Sequence, residues 1–503
     1  MTRFESLGRK GHRLLSRALL AGALLLPLTA CDTDKLVDVE DPASLPPDRL
    51  DTEEAVPALI NGALRQFVGG YSGFGLDDSF VSSSGVISDE LYWGDTFTTR
   101  IAADQRNLQP TVLGNISDPS FNRLHQARIN ARRAYAAIEK FTQNATHKSL
   151  MRTIEGYTYV TLSEGWCGYV PFSIVPDTGF VDAKSITPGD PINTRAMNDT
   201  AVVRFNEALA LSSTNHLAAI GKARALLNNG RHADAAAAVA NVPTTYQYLL
   251  EHSANLGSQN NPMFSLMSNG RYGVSNLEGG VTATGAAIRP DAASPPTTAT
   301  GAEGLPFRAL RDPRVPWTGR AARNNACFSS LATCWLNNNY SSFNSNVPLA
   351  TGIEARLIEA EAALQAGDVT GMMTRLNELR SRVAELLRSL YDDQRQTFPA
   401  PPAAPTLEPL TDPATPTMSA QEQFNARRDL LFRERALWLF NTGHRQGDLR
   451  RLIRTYGVPS NQAFPSGPYF RGGTYGNDVA YPVPFNEQNN RKFEASQCVT
   501  TQA

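Results

Sequence analysis

Seven aromatic residues stand in or beside stretches broken by glycine, asparagine and serine: Tyr71, Phe74, Tyr92, Trp93, Trp317, Trp335 and Tyr340. Such rings have a specific chemical use. A flat aromatic face stacks on the apolar C–H face of a sugar, while asparagine, aspartate and arginine at its edge meet the hydroxyls. Acids crowd the same region, with Asp77, Asp78, Asp89, Glu90 and Asp95 flanking Tyr92 and Trp93. The seven rings are therefore candidate ligand contacts. The competing reading is that each anchors its loop onto a core.

Signatures of catalysis are missing. The chain carries no Gly-x-Ser-x-Gly, no His-Glu-x-x-His and no phosphate-binding Gly-x-x-x-x-Gly-Lys-Ser/Thr. Gly73-Phe74-Gly75 lacks both the third glycine and the preceding strand of a nucleotide loop. Glu354, Glu359 and Glu361 share a helix with Arg356 and read as its solvated face. No catalytic residue, cofactor or metal site is expected. Of five cysteines, Cys327 and Cys334 close a short local loop and are a disulfide pair in an oxidising compartment. Cys167 and Cys498 form a second candidate pair. Zinc is the alternative, but neither spacing matches a metal knuckle and no histidine sits close by.

The compartment follows from the N-terminus. Arg3, Arg9, Lys10, Arg13 and Arg17 precede a short apolar run, Leu19 to Leu28. That run is short for a permanent span and suits an export signal. It ends in Leu28-Thr29-Ala30-Cys31, which resembles the bacterial lipobox, so Cys31 is the expected lipidation site. Residues 1–30 would be removed, residues 31–50 would form a Pro-broken tether, and residues 51–503 a single domain. Removal of the signal takes five of 47 basic and one of 48 acidic residues, leaving a mildly acidic chain of about −5. That balance argues against nucleic acid, and membrane contact is expected through the lipid anchor only.

The elements that position the aromatics are mostly helical. Apolar residues recur at helical spacing over 53–67, 120–141 and 148–164. Thr52 is a cap candidate for the first of these helices, and residues 69–98 break the pattern with Gly69, Gly70, Gly73 and Gly75. Two later segments read as helical hairpins, with Gly230 and Gly367 ending their first helices. Stacked hairpins of this kind are the logic of tetratricopeptide repeats, with unrelated hairpins as the alternative. Residues 255–350, rich in Gly, Asn, Ser, Thr and Pro, read as an irregular loop lobe packed on the helices. The proline-rich segment 398–417 reads as a solvated excursion.

Several blocks, taken in order, resemble one family. Leu36-Val37-Asp38-Val39-Glu40-Asp41-Pro42 follows the cysteine, and Asn61-Gly62-Ala63 lies in the first helix. Glu164 to Phe172, Gly367-Asp368, Leu376 to Arg380, Glu434 to Arg451 and Tyr481-Pro482-Val483-Pro484 continue the series. On these motifs the chain resembles the SusD/RagB outer-membrane lipoproteins. Trp438, Thr442 and Gln446-Gly447 depart from the family pattern. The resemblance implies a mainly α, SusD-like fold with about four tetratricopeptide-like helix pairs and a loop-rich ligand-binding lobe. It implies non-enzymatic capture of an oligosaccharide or peptide nutrient at the outer face of the outer membrane. Delivery would be to a partner, a SusC-like TonB-dependent barrel transporter. The Arg, His and Asp residues of 434–451 would then be a packing module. The rival functions are a helical-repeat scaffold lipoprotein in envelope assembly and a surface glycoside hydrolase.

Overall fold

The structure is a computed structural model that describes residues 50–108, 116–177, 184–301, 304–319, 327–329, 333–395 and 405–503. The signal segment, Cys31 and the tether through residue 49 lie outside the described residues.

The chain enters through α1 (Val56–Tyr71) and then an irregular stretch carrying α2 (Phe80–Ile87), β1 (Leu91–Trp93) and α3 (Thr98–Asp104). Helices α4 (Asp118–Ala137) and α5 (Ala145–Gly165) follow, then the short strands β2 (Val170–Pro171) and β3 (Pro191–Ile192). Next come α6 (Thr194–Leu211), α7 (His216–Asn228) and α8 (His232–Val239). The loop-rich region holds β4 (Gln247–Leu250), α9 (Pro262–Ser268), β5 (Tyr272–Val274), β6 (Val281–Thr282), β7 (Ala299–Thr300), β8 (Trp317–Gly319), β9 (Trp335–Asn337) and β10 (Val347–Thr351). The chain finishes with α10 (Gly352–Gln365), α11 (Val369–Ser381), α12 (Val383–Arg395), α13 (Ala420–Trp438), α14 (Arg445–Tyr456) and α15 (Ser460–Ala463).

Among the described residues the long helices pack as four pairs: α1 with α4, α5 with α6, α7 with α8, and α10 with α11. Successive pairs touch through α4 and α5, α6 and α7, and α8 and α10. This is the expected repeat logic, in which each pair buries the apolar face of the next. Both hairpin turns close alike. Arg231 N–H donates to Leu226 O and Asp368 N–H to Ala363 O, with Gly230 and Gly367 at φ 74° and 73°. Side chains of Asn144, Asn193, Asn215, Thr351, Asp368 and Ser419 each accept an N–H in the first turn of the helix that follows.

Three sequence expectations are corrected here. Helix α1 runs through Gly69 and Gly70 to Tyr71, preceded by a 3₁₀ turn at Glu53–Ala55, and Thr52 supplies no side-chain cap bond. Gly70 is a close-approach residue rather than a breaker: a Cβ there would lie 3.1 Å from the Leu124 backbone on α4. The helix bearing Glu354, Arg356 and Glu361 is buried on that side, not solvated. Residues 405–417 are clamped onto the body. Asn377 exchanges two hydrogen bonds with Leu410, Arg427 pairs with Asp412, and Leu407 and Leu410 pack on the core.

The C-terminal block is the ion-paired hub that its resemblance implied. Arg451 meets Glu361 at 2.8 and 2.9 Å and Asp448 at 2.9 Å, and Arg435 forks onto Asp448 with two 2.8 Å bonds. Arg224 pairs with Glu164, and His444 lies 3.3 Å from Glu354. Burial alone would raise Asp448, yet Arg435 and Arg451 hold it well below the usual carboxylate range. Gly447 sits where a larger residue would press on the Glu164 carboxylate.

The strands form five antiparallel two-stranded sheets among the described residues: β1–β5, β2–β3, β4–β10, β6–β7 and β8–β9. The β1–β5 pairing ties residues 91–93 to 272–274, so the lobe draws on the stretch after α1 as well as on 255–350. No helix of the described residues is long and apolar enough to cross a membrane.

Candidate ligand-binding site

The lobe is built around a second small core of Tyr92, Cys327, Cys334, Tyr469, Phe470 and Tyr475. Cys327 and Cys334 form a disulfide with a Cα–Cα distance of 4.7 Å, and Cys167 and Cys498 form another at 5.3 Å. Two backbone hydrogen bonds hold the first disulfide loop beside β1 and β5, and a third joins those two strands next to it. Phe328 N–H donates to Gly270 O at 2.7 Å, Ser329 N–H to Gly94 O at 3.0 Å, and Gly94 N–H to Arg271 O at 2.7 Å. Gly94 lies flat under the disulfide, where a Cβ would overlap Cys327 Sγ.

That scaffold brings two exposed rings to one arginine. Phe97 is 52% exposed and Phe328 is 61% exposed. The Arg271 guanidinium lies 5.4 Å from the Phe97 ring centroid and 4.7 Å from that of Phe328. Arg271 is held by an ion pair to the buried Asp95, whose other oxygen accepts from Thr96 N–H at 2.6 Å. Arg100, in the first turn of α3, lies 5.3 Å from the Phe97 ring and bonds Asp78 at 2.8 Å. Burial raises Asp78, and Arg100 and Tyr272 pull against that rise. Each arginine is thus paired with a buried carboxylate and lies against an exposed ring.

Trp317 and Trp335 extend the aromatic surface. They meet edge to face at 5.3 Å and 88° across the β8–β9 hairpin, and both are half-buried. Each indole N–H is spent on a backbone carbonyl, Arg308 O for Trp317 and Asp291 O for Trp335. Arg308 stacks under Trp335 at 4.4 Å, and the exposed Arg311 covers Trp317 at 4.3 Å. The disulfide bounds the Cα separation of Phe328 and Trp335 at about 12 Å.

The other five expected contacts are internal. Tyr71, Tyr92 and Trp93 expose nothing to solvent, Tyr340 is buried, and Phe74 is buried between Arg65 and Arg123. Tyr71 lies in α1 and donates to Thr442 O at 2.8 Å, and Tyr340 donates to Asn441 O at 2.8 Å. Together they pin the turn ahead of α14. Tyr92 donates to Thr333 O, and Trp93 packs edge-on against Tyr272 at 4.7 Å. These rings anchor loops, and no ligand can stack on them here. Phe97 and Phe328 lie in the aromatic-bearing stretches 92–97 and 327–343 but are not among the seven candidate rings. Their signal was the plain polar setting, Asp95-Thr96-Phe97-Thr98 and Phe328-Ser329, in which no apolar periodicity demands a phenylalanine.

The acids around the lobe serve as internal pins. Asp89 forks onto Arg445 at 2.6 and 2.8 Å and accepts from Leu305 N–H. Asp104 accepts from Tyr469 at 2.7 Å and from Trp93 N–H at 3.1 Å, and burial pushes it up to about 7. Burial pushes Glu90 up to about 8, against the Asn441 N–H that it accepts at 2.9 Å. No group of three or more His, Cys, Asp or Glu among the described residues is arranged to hold a metal.

No family model matches the sequence. No curated protein matches it either. The fold, however, is shared with solved structures. A SusD-like carbohydrate binding protein from Bacteroides vulgatus aligns over 89% of this chain and 98% of its own, at TM-score 0.56 and 12% identity. A laminarin binding SusD-like protein aligns over 87% and 98%, at TM-score 0.53 and 14% identity. NanU of B. fragilis aligns over 90% and 99%, at TM-score 0.53 and 13% identity.

Proposed function

For a chain with the SusD-like fold, we propose non-enzymatic capture of a glycan at the cell surface, on the ridge formed by Phe97, Arg271 and Phe328. The observation that carries this reading is the exposure of two phenylalanine rings on a braced arginine. Exposed aromatics cost free energy in water, and here a disulfide and two backbone hydrogen bonds hold the Phe328 loop in place, while the Phe97 carbonyl accepts from Arg100 and Ile101 N–H at the start of α3. Stacking on a sugar's C–H face recovers that cost. The guanidinium edges of Arg271 and Arg100 serve hydroxyl or carboxylate groups of the ligand.

Capture without chemistry fits the carboxylates. Asp78 and Asp95, those beneath the ridge, are buried and occupied by arginines, so neither is placed to protonate a leaving group. Relatives in fold include proteins described as carbohydrate binding and laminarin binding, which supports a glycan over a peptide.

Lipidation at Cys31 would hold the protein at the outer face of the outer membrane. Its cargo would pass to a TonB-dependent barrel. Purification of the tagged protein from detergent-solubilised outer membrane tests the delivery step. A barrel transporter should co-purify in near-stoichiometric amount, and its consistent absence would contradict delivery while leaving glycan binding to be judged separately.

A further inference from the structure

The two arginines of the ridge are neutralised in place, Arg271 by Asp95 and Arg100 by Asp78. The β8–β9 hairpin is charged differently. Arg311 is exposed, and its guanidinium lies 4.3 Å from the Trp317 ring centroid. Among the described residues its side chain forms no ion pair and no hydrogen bond, so its N–H donors stay open to a ligand. Its backbone is left-handed, at φ 51°, a conformation that glycine or asparagine adopts at less cost. An arginine thus stands where the backbone suits it poorly, with its charge unmatched.

A second cation lies against the same pair of indoles. Arg308 is fully buried, 4.4 Å from the Trp335 ring and 5.6 Å from that of Trp317, and its bonds go to the carbonyls of Val274, Pro290 and Ala292. Asp291, the carboxylate that acts on it, is forked by Arg289 at 2.8 and 2.9 Å. The imbalance extends along the sequence. Residues 255–350 hold seven arginines and no lysine against four acids, in a chain whose net charge is −1. The described acids of that stretch are committed within the fold: Glu278 to Ser275 and Tyr475, Asp291 to Arg289, and Asp312 to Arg314. Positive charge is therefore left over at the tryptophan hairpin, and Arg311 is the group that shows it to solvent.

We propose that the captured glycan is acidic, and that Arg311 holds its carboxylate or sulfate group beside Trp317. This rests on glycan capture as proposed above and names the class of glycan. The planar guanidinium offers such a group two parallel donors, and its contact with the indole reduces the ordering cost of binding. The hairpin adjoins the ridge through the disulfide, since Phe328 and Trp335 each follow one of the bridged cysteines.

An array of neutral, uronate-containing and sulfated glycans, probed with the labelled full-length protein in neutral detergent, tests it, with calorimetry on the tightest ligand. That ligand should be acidic, and whether it carries uronate or sulfate separates the two groups. Removing the acidic group, by carboxyl reduction or desulfation, should weaken binding about tenfold. Arg311→Gln should weaken it by about the same factor and leave binding of neutral glycans unchanged. Arg195→Gln, at an exposed arginine of α6, should not weaken it. Thermal melts check that each variant is folded. Should Arg311→Gln fail to fold, the reduced or desulfated ligand decides. Binding confined to neutral glycans overturns this inference and leaves capture standing, whereas binding of no glycan overturns both. Equal weakening by the Arg195 variant, which would mark general charge attraction, also overturns it, as does unchanged binding by the Arg311 variant.

Discussion

Arg271 lies 4.7 Å from the ring centroid of Phe328, a residue 57 positions later in sequence whose N–H bonds the carbonyl just before that arginine, at Gly270. The side-chain contact and the backbone bond arise from one strand-like apposition, so ring and guanidinium are positioned together. Phe97 lies 5.4 Å from the same guanidinium.

Exposed and buried aromatics should therefore answer differently to truncation. Phe97→Ala and Phe328→Ala are each expected to weaken glycan binding about tenfold, ~1.4 kcal/mol, with melting temperature almost unchanged. Trp93→Ala is expected to destabilise the fold by about 3–5 kcal/mol, because it empties a fully buried site. Binding isotherms paired with denaturant melts separate the two classes.

The disulfides should divide in the same way. Cys167–Cys498 closes a separation of 331 residues and Cys327–Cys334 one of seven. On loop-closure entropy, removing the first pair costs about 6 kcal/mol and removing the second about 2. Ligand affinity should respond in the opposite order, since the short loop carries Phe328. Gly94→Ala, which pushes on Cys327, should lower affinity as well. Double Cys→Ser variants measured for both stability and binding check this ordering.

Stability should fall as pH rises from 5 to 8. Folded Glu90 keeps its proton up to about 8, whereas in the unfolded chain it releases it near the usual glutamate value of about 4.3. Between these values the folded state holds a proton that the unfolded state lacks. The resulting stabilisation is fully present below the unfolded pKa and is lost as pH rises through the folded one, by up to about 1.4 kcal/mol per pH unit. Asp104 and Glu278, both raised by burial, act in the same direction. Asp448 is shifted the other way, and its stabilisation disappears only in strong acid. Urea midpoints across pH 5–8 should show the decline, and Glu90→Gln should flatten it.

The charged hub should be structural only. Asp448→Ala removes one of the two buried carboxylates that Arg435 and Arg451 share, leaving only Glu361, and is expected to cost about 3–5 kcal/mol. Glycan affinity measured below the melting range should remain that of the wild type.

The helix pairs were legible in the sequence because helical spacing and the Gly230 and Gly367 turns are local signals. The hub was legible as a motif, although its burial was not: Glu354 and Glu361 look like an exposed stripe until α14 and α13 cover them. The candidate binding surface was the least legible part. Tyrosine and tryptophan drew attention by type, yet Tyr92, Trp93 and Tyr340 are consumed by long-range contacts that no local pattern announces. Phe97 and Phe328 become neighbours only through the β1–β5 pairing and the disulfide loop, which join segments more than 170 residues apart.

The ridge itself is tested most directly by affinity electrophoresis of the wild-type protein and a Phe97→Ala/Phe328→Ala double variant through gels containing a panel of soluble polysaccharides. The wild-type protein should be retarded by at least one of them, and the double variant should run as it does in a gel without glycan. Equal retardation of the two proteins, or no retardation of the wild type by any glycan, would contradict the account.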